Sequence, residues 1–98
     1  MSLDFRLLFA FNWDVSLKLY LVSCDLLQDV DYASLRARLR CFEARPVLAN
    51  QWALHSTHTA AQLKDILKGF LHEGDRIVVT EVGAERASRR ALSNLTEL

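Results

Sequence analysis

Among the 98 residues there is one proline, and there are three glycines, two cysteines and one methionine. So little proline and glycine excludes a collagen-like or low-complexity linker chain. Cys24 and Cys41 form no C-x-x-C pair, which excludes a zinc framework and a multi-disulfide scaffold. With no secretory signal, both are expected to be reduced thiols of a cytoplasmic protein. Charge of one sign is also missing: twelve basic residues face twelve acidic ones, which argues against a dedicated, sequence-blind nucleic-acid binder. The apolar runs are too short to span a membrane, and Asp4 and Arg6 interrupt the apolar start. There is no glycine-rich phosphate loop, no Ser/His/Asp constellation and no cofactor fingerprint.

What is present is enough apolar residue for one core, and the length suits one domain. The organising stretch is Lys18–Leu27. Leu19, Tyr20, Leu21 and Val22 suit a strand buried on both faces, and that strand should end where Asp25 would otherwise be buried without a partner. Tyr32, Leu35, Leu39 and Phe42 give one apolar stripe on a helix over 32–44, capped by Asp31 and stopped by Pro46. Residues 47–56 are extended, either as one strand or as two folded at Asn50–Gln51. Thr59 and Gln62 have capping-box form ahead of a helix with Leu63, Ile66, Leu67, Phe70 and Leu71 on its apolar face, and Gly74 is its expected stop. Residues 76–82 read as the last strand.

Before these elements, Leu3, Phe5, Leu7, Phe9 and Phe11 alternate like an extra strand that should pair with a sheet edge. After them, Leu92 and Leu95 lie in a helix-compatible tail. If the middle segment is a hairpin, the order is βαββαβ, an α+β ferredoxin-like sandwich with both helices on one face. The other face then calls for a cover, which a twofold partner would supply.

The ordered series Y-L-V-S-C-D-L, D-Y-A-S-L-R-A-R-L, N-Q-W-A-L-H-S-T, A-A-Q-L-K-D-I-L and D-R-I-V-V-T-E-V resembles a set of small bacterial proteins labelled "SinR-like". These are similar to the small CRISPR-associated adaptation protein, a ferredoxin-like dimer described as a metal-dependent nuclease and as the partner of the spacer integrase. The resemblance divides the chain into an N-terminal extension (1–17), a ferredoxin-like domain (18–85) and a tail (86–98). It implies a homodimer in which the two Asp25 carboxylates face each other and share one Mg or Mn ion. Cys24 stands where that family carries an aromatic residue.

Asp25 is thus the candidate metal ligand and catalytic residue. Two carboxylates related by a twofold axis could hold a hard cation that activates water for phosphodiester cleavage. The plainer reading is a strand-end aspartate bonded to loop N–H groups. Arg36, Arg38, Arg40 and Arg45 are the candidate nucleic-acid contacts, against the alternative of solvated helix faces with local ion pairs. Arg86, Arg89 and Arg90 form a second local excess. His55 and His58 could ligate zinc, but no second pair of ligands accompanies them. His72 is expected near the carbonyls ending its helix. Trp52 should pack in the core rather than stack on a base. Two functions follow: a non-catalytic dimeric module scaffolding a nucleic acid or an integrase-type protein, or a metal-dependent endonuclease on RNA or DNA.

Overall fold

A computed structural model describes residues 17–98. The expected strand at Leu3–Phe11 lies outside the described residues. The chain forms β1 (Lys18–Asp25), α1 (Ala33–Cys41), β2 (Arg45–Leu48), β3 (Gln51–Ser56), α2 (Ala60–Lys68) and β4 (Arg76–Glu81), closing with a 3-10 turn at Leu95–Glu97. The four strands make one antiparallel sheet in the order β2-β3-β1-β4. This is a mixed α+β fold of four strands and two helices.

The period-2 pattern of β1 sorts its side chains to two faces. Tyr20, Val22 and Cys24 join Trp52 and Leu54 of β3 under Leu35 and Leu39 of α1 and Leu63 and Leu67 of α2. Both helices therefore cover one face, and Trp52 packs in that core. On the other face Leu19, Ala53 and Val47 are buried under Leu95, with Ala91 and Leu98 packed beside it. Beyond β4 the chain crosses this helix-free face and donates the Leu92 N–H to the Val47 carbonyl at 2.8 Å, so part of the expected cover is the chain's own tail.

The middle segment is a hairpin with its turn at Ala49–Asn50, one residue earlier than expected, and a bulge at Val47. The capping box forms, with the Gln62 N–H donating to Thr59 Oγ1 at 3.1 Å and the Thr59 N–H to Gln62 Oε1 at 2.9 Å. Four expectations are corrected. Helix α1 stops at Cys41, well before Pro46. Glu43 takes a left-handed φ of 56°, with Glu43 N–H bonding to Arg40 O and Ala44 N–H to Leu39 O, the Schellman pattern. Asp31 does not cap α1 but sits 3.4 Å from Arg36. Helix α2 ends at Lys68, and Gly74, at φ 88°, turns the loop before β4 instead of closing the helix. The tail is mostly irregular: Leu95 is buried, whereas Leu92 points to solvent.

Candidate functional site

Strand β1 delivers Asp25 to its exposed C-terminal end, where the antiparallel register sets it opposite Arg76, the first residue of β4. The carboxylate oxygen lies 3.8 Å from Arg76 Nη1, with both side chains more than half exposed. An ion pair this open is worth little in stability, but it gives Asp25 a cation on its own chain. The two line a shallow hollow of about 190 Å³ with Ser23, Cys24, Ile77 and Val78. Cys24 itself is buried. Desolvation, reinforced by the negative charges of Asp75 and Asp25, pushes its thiol up to about 11, so it stays protonated and inert near neutrality.

Among the described residues the carboxylate with the richest set of bonds is Asp75, which sequence reasoning did not single out. Its Oδ1 accepts from the Leu27 N–H at 2.8 Å and the Tyr32 hydroxyl at 3.0 Å, and its Oδ2 accepts from the His72 N–H at 2.8 Å. The Tyr32 oxygen in turn accepts from the Gln28 N–H at 3.0 Å. Desolvation works to raise the Asp75 pKa, but the donors from Leu27, His72 and Tyr32 outweigh it and leave the carboxyl below its usual value. Desolvation and the neighbouring Asp75 raise Tyr32, against the Gln28 N–H. One aspartate thus fastens the β1–α1 loop, the start of α1 and the α2–β4 loop. The available signal was an aspartate directly after Gly74, whose left-handed backbone turns the loop back on itself.

The other candidates do not converge on Asp25. Arg36 is paired with Asp31, and the Arg38 guanidinium lies 5.1 Å from the centre of the Phe42 ring, so two of the four candidate arginines have local partners. Arg40 and Arg45 are exposed. His58 Nδ1 lies 2.9 Å from Ser56 Oγ, which also accepts the His58 N–H at 3.0 Å, while the Tyr20 hydroxyl donates to the His58 carbonyl at 2.7 Å. These bonds fix the loop ahead of α2, and exposed His55 takes no part in them. The His72 ring meets Tyr32 edge-on at 5.2 Å. Among the described residues no three His, Cys, Asp or Glu side chains gather to hold a metal ion, and no helix is long and apolar enough to cross a membrane. No family model, curated protein or solved structure matches this chain.

Proposed function

We propose that the chain is a dimeric, non-catalytic module of ferredoxin-like architecture that scaffolds a nucleic-acid or protein partner, in the manner of the small CRISPR-associated adaptation protein it resembles. The strand order β2-β3-β1-β4 with both helices on one face supports the architecture. The observation that carries the non-catalytic reading is the position of Asp25. It lies in the open, beside Arg76, with no second carboxylate among the described residues lining the hollow. A resident guanidinium lowers the need of that carboxylate for a metal ion and adds a repulsive charge where a cation would enter. The zero net charge and the local partners of Arg36 and Arg38 favour a protein over a nucleic acid as the scaffolded partner.

Thermal melts of the wild type and of Asp25→Asn, in magnesium, manganese and chelator, test this reading together with cleavage assays on single-stranded RNA and duplex DNA. The expected result is melting that ignores the metal, a near-neutral substitution and no cleavage. A metal-dependent rise in Tm that Asp25→Asn abolishes, accompanied by cleavage, would instead establish the endonuclease with Mg or Mn shared between two Asp25 carboxylates.

A further inference from the structure

The two outer strands of the sheet are finished differently. Strand β2 carries Pro46, a bulge at Val47 and a bond from the tail at the Val47 carbonyl, three devices that prevent another strand from adding to it. Strand β4, with the sequence R-I-V-V-T-E, has neither proline nor bulge. The Val82 N–H donates to the Leu19 carbonyl, which makes Leu19–Val82 a hydrogen-bonded pair of the β1–β4 ladder. Antiparallel ladders alternate, so Leu21–Thr80, Ser23–Val78 and Asp25–Arg76 are also bonded pairs. The N–H and C=O groups of Ile77, Val79 and Glu81 therefore point away from β1, with no partner among the described residues.

We infer that a second copy adds to this edge, β4 against β4 in antiparallel, about a twofold axis at Val79. This deepens the dimeric reading above and rests on it. Outward groups must meet outward groups, and in a twofold pair the facing residues share one side of the sheet. Pairing Ile77 with the partner's Glu81, Val79 with the partner's Val79 and Glu81 with the partner's Ile77 satisfies all six groups of each chain. Shifting the register by one step, to Val78 against the partner's Val78, leaves the Glu81 groups outside that set. In the chosen register Val78, 59% exposed, lies against the partner's Thr80, a pair of β-branched residues. Arg76 and Glu81 lie at opposite ends of the strand, so like charges are kept apart across the axis. The product is one continuous sheet of eight strands bounded by the two guarded β2 edges. Strand spacing and rise put the two Asp25 residues roughly 25 Å apart, far beyond the reach of one shared cation.

Val79→Pro tests the inference, because it deletes an N–H that β1 does not use and proline is tolerated on a free edge. Sedimentation should show a wild-type dimer and a dissociation constant raised at least about tenfold by Val79→Pro, through the bonds lost at the axis. Hydrogen exchange should find the Ile77, Val79 and Glu81 amides protected in the wild type. In the variant Ile77 and Glu81 should exchange freely, while the Val78 and Thr80 amides stay protected and certify the fold. Val78→Lys, a substitution at an exposed position, should weaken the dimer as well. Adding Thr80→Glu should restore it, because each introduced ammonium then faces an introduced carboxylate on the other copy. A dimer that survives Val79→Pro with unprotected edge amides overturns the edge pairing and leaves the dimeric reading standing. A monomer overturns both. A monomer with protected edge amides that lose protection on deletion of residues 1–14 assigns the edge to the chain's own N-terminal segment.

Discussion

One face of the sheet is closed by two helices, the other by a strap with almost no regular structure. On the helical face Leu35, Leu63 and Leu67 are completely buried, each held by a helix whose own hydrogen bonds keep it in place. On the strapped face Leu95 is held by a tail that contributes one backbone bond to β2 and a 3-10 turn. Leucines fully buried on one face, and one still 8% exposed on the other, are thus held by frameworks of different stiffness. A stiff surround cannot close over a deleted side chain, whereas an irregular segment can settle into the space.

Truncation on each face tests that contrast. Leu67→Ala should cost about 3 kcal/mol in urea unfolding, a large share of what such a domain has. Asp75→Ala should come next, with a Tm loss that depends on pH. The folded pKa is depressed, so the contribution is fully present above the ordinary aspartate value and fades as pH falls through the lower folded value. The melting difference between wild type and variant should therefore persist above the ordinary aspartate value and shrink as pH falls below it. Leu95→Ala should cost only about 1 to 2 kcal/mol because the strap relaxes. If it matches Leu67→Ala, the strap is as rigid as the helices and the contrast between the faces fails. The smallest effect is a gain. Glu43→Gly removes a side chain from a left-handed position and should stabilise the domain by about 0.5 to 1 kcal/mol, as chemical denaturation would show. In the native protein a thiol reagent should label exposed Cys41 long before Cys24, which is buried and whose pKa burial pushes up to about 11.

The parts of the fold legible in the sequence are those fixed by local rules. The short apolar run of β1, the capping box at Thr59 and Gln62, and the stripe of Tyr32, Leu35 and Leu39 each carry their structure within a few residues. The end of α1 was not legible, because a glutamate in the left-handed region carries no compositional mark and Pro46 offered a more obvious stop. The tail misled for the opposite reason: its residues suit a helix, but tertiary packing on Leu19, Val47 and Ala53 decided otherwise. At the candidate site, the exposure of Asp25 could be read from the cost of burying a lone carboxylate. Its partner Arg76 could not, because that proximity depends on the register between strands far apart in sequence. Asp75 was only partly legible: its position after Gly74 and its His72 donor are local, but its Leu27 and Tyr32 donors lie 48 and 43 positions away.

The strand order β2-β3-β1-β4 also constrains how the chain folds. Cut at the Ala49–Asn50 turn, the sequence falls into two strand-helix-strand halves, yet neither half contains two neighbouring strands. Strand β3 lies between β1 and β2, and β1 lies between β3 and β4. Among the four described strands only the β2–β3 hairpin can form from residues close in sequence, and it joins the two halves. Every other pairing must close a loop across a helix first, so the sheet has no stable half-built form and the ordering entropy comes due before most contacts can repay it. The chain should therefore fold slowly for its size and in a single cooperative step, with each half serving as the template for the other.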